Sequence, residues 1–245
     1  MKEHSILFSG PMVRAIREGR KTQTRRPIKH PEYFGCLTGD CPHMFQAECD
    51  AAIAVWAKES CPYGVPGDRL WVRETFAVFC VTDYSRGDIL NSSAQVGIGY
   101  RADHKTGNLA DGDGGYNFRP VEGDDRIAQA RLIAEDHYHE WRPSIHMPRW
   151  ASRLTLEITD VRVQRVQEIT EEDSRAEGAY LNGIVAGDAR CGTRDYWHFS
   201  EKIGGNTAKD GFEHLWESIN AKRGFGWDSN PWAWALTFKC VEVSR

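Results

Sequence analysis

The sequence predicts an α+β fold, a small mixed β-barrel with flanking helices and long loop insertions. Three observations lead there. Apolar residues alternate at Leu154, Leu156 and Ile158 and again along Trp232 to Cys240, the mark of strands with one buried face. Helical spacing appears in Met12, Val13 and Ile16 near the start and in Phe212, Leu215, Trp216 and Ile219 near the end. Polar, glycine-rich stretches separate these runs, yet no charged or Pro/Ser-rich linker divides the chain. Residues 1–245 therefore read as a single domain, with an insertion at about 30–60.

In chain order, Ser5 to Phe8 reads as a short strand and Pro11 to Glu18 as a helix that Gly19 closes as its C-terminal cap. Residues 30–60 have no sustained periodicity, although Glu48 to Lys58 are spaced for a short helix around Ile53, Val55 and Trp56. Pro66-Gly67-Asp68 is a turn signal. Arg69 to Phe76 then reads as one strand carrying Glu74, with Leu70 and Val72 alternating imperfectly with polar neighbours. Between Thr82 and Asp125 glycine, aspartate and asparagine dominate; Asp111 to Gly115 is a flexible loop rather than a phosphate cradle, and Ile98 to Ala102 is a strand within the segment. Ile127 to Glu135 reads as a helix.

The segment Trp141 to Trp150 is a loop fixed by Pro143 and Pro148. Its Arg142, His146, Arg149 and two indoles suit the stacking and positioning of a base, while Trp141 and Trp150 equally suit anchoring the loop to a core. After the strand at Leu154, residues Val161, Val163 and Val166 carry a second strand or a bulged continuation. Thr170 caps a short helix that begins Glu171-Glu172-Asp173, where the dipole favours acids. A polar loop from Asn182 to Ala208 leads to the helix around Phe212, which Lys222-Arg223-Gly224 ends before the last strand.

Composition narrows the function. A net charge of -4 excludes a protein that coats nucleic acid nonspecifically, because counterion release needs a broad basic surface. Any nucleic-acid contact is therefore local. Ile6-Leu7-Phe8 is too short an apolar run for a signal peptide and no stretch reaches bilayer length, so the expectation is a cytoplasmic protein with no membrane partner. Seven scattered cysteines, an odd number, point to reduced thiols rather than a disulfide framework. Cys36, Cys41, His43, Cys49 and Cys61 cluster enough to raise zinc, but they lack the paired C-x2-C spacing of common zinc sites, and no metal is expected.

The most informative segment is Gly19 to Pro27, with four cations and two threonines in a chain of negative net charge. Arg17 and Arg20 lie near the end of the first helix, where cations suit the dipole. Lys21, Arg25 and Arg26 lie beyond the cap and have no such explanation. Neighbouring guanidinium charge and burial lower a lysine pKa, which makes Lys21 a candidate base and a nearby threonine a candidate nucleophile. In an extended segment residues 21 and 24 face opposite sides, so their cooperation calls for a turn. Glu177 stands just before Gly178 in the last turn of its helix, against the dipole, which sets it apart from the three acids that open that helix.

The blocks Ile16-x-x-Gly19-Arg20-Lys21-Thr22-x-Thr24-x-Arg26, Pro66 to Leu70, Ile169 to Asp173 with Ala176-Glu177-Gly178, and Ala235 to Phe238 resemble the ASCH-domain family, in particular its longer phage and prophage members. The resemblance implies a PUA-like β-barrel, and relative to the family's minimal domain the stretches at about 30–60, 81–140 and 180–208 are insertions. Small bacterial members are amidohydrolases that remove the acyl group from N4-acetylcytidine with Lys, Thr and Glu and without a cofactor. Motif matching places these at Lys21, Thr24 and Glu177, with Glu74 the rival for the carboxylate. Arg20, Arg26, Glu74, Arg149 and Trp150 are then the candidate substrate-binding residues, and Arg26 or a backbone N–H would stabilise an oxyanion. The implied substrate is a small nucleoside, with at most weak RNA contact. An RNA or modified-base reader and a ribonuclease use the same cations differently, since a reader needs no nucleophile.

Overall fold

A computed structural model describes residues 1–29, 56, 60–81, 95–103, 118–123, 125–130, 140–181, 197–200 and 203–241. The fold is α+β. Strand β1 (Glu3–Leu7) leads into helix α1 (Gly10–Arg17), which turns through Gly19 at φ 74 into β2 (Gln23–Pro27). Val13 and Ile16 are buried on α1, as their spacing predicts; Ala15 is buried with them, while Met12, expected on the same face, is only half-buried.

Strands β3 (Arg69–Arg73), β7 (Thr155–Arg165) and β11 (Trp232–Val241) join β1 and β2 in a five-stranded sheet of order β1-β3-β7-β11-β2. Among the described residues this sheet does not close into the expected barrel, and β1 and β2 stand at its edges. By contact density the chain forms two compact units. The first comprises Met1–His4, Ala15–Leu70 and Thr155–Arg245, and the second Ser5–Arg14 and Trp71–Leu154.

In the first unit β7 is one eleven-residue strand, the bulged continuation of the two alternatives, with Val166 past its end in a 3-10 turn. Its register with β11 slips between Thr237 and Phe238, where Asp160 pairs with Thr237 but Ile158 with Phe238. The extra Thr159 flips the side-chain parity, which is why the apolar positions change from even numbers to odd. Strand β11 departs from the expected single buried face, since Ala233, Trp234, Ala235, Leu236 and Phe238 are all buried. Its small alanines suit the face toward the polar network described below, while Trp234 and Leu236 fill the other.

Helices α2 (Glu171–Ala176) and α3 (Ala208–Asn220) are tied together at their starts. Thr170 and Thr207 accept from Asp173 N and Asp210 N, and the Glu171 carboxylate accepts from Ala208 N and Lys209 N, capping α3. The predicted insertion 180–208, read as a polar loop from Asn182 to Ala208, is not uniformly loop. It contains β8 (Tyr180–Leu181), β9 (Trp197–Ser200) and β10 (Ile203–Gly205), an antiparallel sheet whose Phe199 packs on Phe212 of α3. Apolar residues placed two apart at Trp197 and Phe199 are too few for a periodicity signal, and packing on α3 supplies what the sequence pattern lacks.

The predicted strand Arg69 to Phe76 breaks at Glu74, and in the second unit β4 (Phe76–Val81) begins a separate antiparallel sheet with β5 (Gln95–Tyr100) and β6 (Phe118–Pro120). Its core gathers Phe76, Val78, Ile98, Tyr100, Ala130, Met147 and Ala151, with Trp150 packed against it. Arg101 to Ala102, expected in a strand, form part of a 3-10 turn. Among the described residues no helix is long and apolar enough to cross a membrane.

Candidate active site

Lys21 reaches the site because the chain leaves α1 at Gly19 and runs antiparallel to the end of α2, with a backbone bridge between Lys21 and Glu177 and a bond from Thr22 N to Ala176 O (2.9 Å). The close approach depends on Gly178. Its φ is 105, and a Cβ there would meet the Cβ atoms of Ala15 and Lys21 at 3.1 Å each.

Among the described residues the lysine ammonium has three acceptors, Glu177 Oε2, Glu177 O and Gln23 O, each at 2.8 Å. Lys21 is 2% exposed and Glu177 4%, so two residues 156 positions apart form a buried ion pair. The ammonium also sits at the carbonyl end of α2, where a helix favours a cation. Glu177 is thus explained by its partner. Burial holds the Lys21 amine below its ordinary 10.5; Glu177 opposes the shift, and the guanidinium charges of Arg26 and Arg25 reinforce it.

Side chains alternate along β2. Gln23 and Arg25 lie opposite Thr237 and Ala235, while Thr24 and Arg26 lie opposite Leu236 and Trp234 on the other face. The turn expected to bring Lys21 and Thr24 together is therefore a strand, and the Thr24 hydroxyl is not among the three acceptors of Lys21. Thr24 is 2% exposed. Arg26 lies close enough to Glu177 and Tyr63 for their charges to oppose the desolvation that lowers its own pKa.

On the other face Arg25 donates to Asp173 Oδ2 at 2.7 Å, to Glu177 Oε1 at 3.4 Å, to Gln164 at 3.3 Å and to Gln23. Asp173, read from the sequence only as a dipole-satisfying acid, is the main partner of this buried guanidinium. Desolvation works against its charge, but Arg25 and then Arg162 outweigh it and hold Asp173 below the usual carboxylate range. The period-two spacing of Gln23 and Arg25 was the signal for this network, and it becomes readable only once β2 is known to be a strand.

Arg20 donates to Glu18 and to Gly178 O (2.7 Å) and stacks over Tyr180, bracing the turn after α2. Glu74, 2% exposed, is held by Arg153 through two hydrogen bonds of 2.8 and 2.9 Å within the second unit, where Arg153 also binds Asp103 and lies 3.9 Å from the Tyr100 ring centre. Arg149 is exposed over Trp71. Trp150 packs on the core of the second unit, the anchoring role.

Cys36, Cys41, His43 and Cys49 lie outside the described residues. Cys61 is a buried free thiol pushed up to about 11, chiefly by desolvation. Among the described residues no group of His, Cys, Asp and Glu is arranged to hold a metal. Compared with protein-family models, curated proteins and solved structures, the chain has no match.

The Lys21 shift gives a stability prediction whose sign is fixed. Between the depressed folded pKa and 10.5 the unfolded chain binds more protons at this residue than the folded chain does, so unfolding free energy rises with pH across that window. Below the folded pKa the contribution is flat. Urea denaturation at increasing alkaline pH is expected to give a steeper rise, or a shallower fall, for wild type than for Lys21→Met. Parallel curves would place the Lys21 pKa at its ordinary value.

Proposed function

We propose that the chain is an amidohydrolase that removes the acyl group from N4-acylated cytosine nucleosides, on a PUA-like fold of the ASCH type. The observation that carries the reading is the buried 2.8 Å pair of Lys21 and Glu177, the two residues that separate motifs nominate. A buried ion pair is costly compared with an apolar pair of the same volume, and perturbed groups of this kind concentrate at functional sites.

Chemistry follows from donor counting. As an ammonium, Lys21 uses three protons on three acceptors. As a neutral amine it keeps two donors and gains a lone pair. Because Thr24 lies on the face of β2 away from Arg25 and is not among the three acceptors of Lys21, the mechanism requires the Lys21 side chain to change rotamer before that lone pair reaches the Thr24 hydroxyl. Thr24 Oγ attacks the acyl carbonyl carbon as Lys21 takes its proton, and Arg26 or a backbone N–H supports the oxyanion. Collapse breaks the bond to the exocyclic nitrogen, which takes the proton back from Lys21 and leaves as the cytosine amine. Water then hydrolyses the acyl-threonine ester. Glu177 acts by orienting Lys21, because both of its oxygens already accept from cations.

Burial of Lys21 and Glu177 also fits a pair that only ties β2 to α2, and Thr24 separates the two readings. Cytidine released from N4-acetylcytidine by wild type but not by Thr24→Ala supports the hydrolase, whereas equal release by both removes the acyl-enzyme route.

A second reading, a PUA-like module that reads RNA or a modified base, draws on the second unit. Arg73 and Arg149 lie over Trp71 at 5.4 and 5.9 Å, and Arg101 lies over Trp141 at 5.9 Å. Salt discriminates. Over a fourfold rise in salt, turnover of an uncharged nucleoside is expected to change less than about twofold. A reader placing Arg73, Arg101, Arg142 and Arg149 on phosphates would lose on the order of 50-fold in single-strand affinity. Tight, steeply salt-dependent oligonucleotide binding without deacylation would favour the reader.

A further inference from the structure

We propose that Arg25 is a positioning residue whose guanidinium, fixed by Asp173, holds one oxygen of Glu177 so that the other is presented to Lys21. The inference goes beyond the hydrolase reading, which uses Lys21, Thr24, Glu177 and Arg26, and it rests on that reading only for its kinetic arm.

The geometry is a relay of buried groups. Arg25 has a side chain only 1% exposed and contacts both carboxylates, Asp173 Oδ2 at 2.7 Å and Glu177 Oε1 at 3.4 Å. Glu177 Oε2 is the oxygen that Lys21 holds at 2.8 Å. A carboxylate pinned through one oxygen has little freedom to rotate, so the direction of its second oxygen is set by the first.

The anchor is itself anchored. Asp173 occupies the first turn of α2, its backbone N–H bonded to the Thr170 cap at 3.0 Å, and it also accepts from Arg162 at 3.5 Å and Gln23 at 3.3 Å. Gln23 and Gln164 are further acceptors for the Arg25 guanidinium, and the Phe212 ring lies 5.9 Å from its centre. A structural tie between β2 and α2 would need only the Arg25–Asp173 bond. The second branch, to Glu177, aims the guanidinium at the very carboxylate that holds the candidate base. Only a planar fork can serve both carboxylates; a lysine at this position supplies one charge at one point.

The experiment follows Lys21 directly, by the pH titration of its 13C-labelled ε-carbon resonance without substrate, alongside kcat and KM for N4-acetylcytidine. In Arg25→Met the Lys21 midpoint is expected to rise, because a like charge has gone, and kcat to fall on the order of 10- to 100-fold with KM little changed. Should Arg25→Met not fold, Arg25→Lys keeps a cation for Asp173. It is expected to lower kcat at least about tenfold and to alter the Lys21 titration, since the bond to Glu177 is lost.

A lowered melting temperature with the Lys21 titration and kcat both at wild-type values would overturn the proposal and leave Arg25 a structural tie. The two ideas fail separately. A wild-type protein inactive on N4-acetylcytidine removes the hydrolase reading while the resonance titration still tests the clamp, and an active Arg25→Lys with an unaltered titration removes the clamp alone.

Discussion

Lys21→Ala and Thr24→Ala are each expected to reduce turnover of N4-acetylcytidine by on the order of a thousandfold, and the double variant to be no more than a few-fold worse than either single. A base and the nucleophile it activates act as one unit, so removing either member removes the same step. Losses that multiply in the double variant would break the unit and assign the two residues separate tasks. The pH profile adds an independent sign. The base must be neutral, so kcat/KM is expected to rise with pH on a limb whose pKa lies below 10.5, because burial disfavours the charged amine. Glu177→Gln removes a charge that raises the Lys21 pKa, so in whatever activity remains the limb moves to lower pH. Arg26→Met removes a charge that lowers it, and the limb moves up.

The second large effect concerns stability. Glu177→Leu leaves the Lys21 ammonium buried without its carboxylate, and unfolding free energy is expected to drop by about 3–5 kcal/mol in urea denaturation. In Lys21→Met/Glu177→Leu the uncompensated charge has gone and most of that loss should be recovered, because two apolar side chains of similar size fill the same space. The cycle measures the coupling directly. Additive losses would mean that the 2.8 Å bond between Lys21 and Glu177 contributes nothing specific. Recovery in the double variant, combined with loss of turnover, would indicate a pair retained for chemistry at the expense of stability.

The local elements were legible because each has a local cause. Thr170 has a side chain that caps α2, Gly19 takes the positive φ that ends α1, and apolar spacing marks α1, α3, β7 and β11. The basic cluster holding Lys21 and the carboxylate before Gly178 stood out in the sequence, the first from charge density and the second from a charge set against a dipole, whereas Thr24 was singled out only by the family resemblance. Where local signals were weak, the reading failed. Glu74 was placed within a strand, but it lies in the break between β3 and β4, where Arg153 holds its carboxylate through two hydrogen bonds. The short strands β8 to β10 carry too few apolar residues to stand out, and their order depends on packing against α3.

What the sequence by itself determined is therefore the α+β class, the caps and the identity of the chemical groups, since these depend on near neighbours and on period. Tertiary structure alone decided which groups meet. Pairing of Lys21 with Glu177 across 156 positions, the separation of Thr24 from Arg25 onto opposite faces of β2, and the choice of Asp173 over its acidic neighbours as the partner of Arg25 all follow from the register of β2 against β11 and the docking of α2. The physical reason is that a strand alternates its side chains with period two whatever its composition, so a one-residue change in register would exchange the residues facing α2 for those facing away, and no local signal fixes that register.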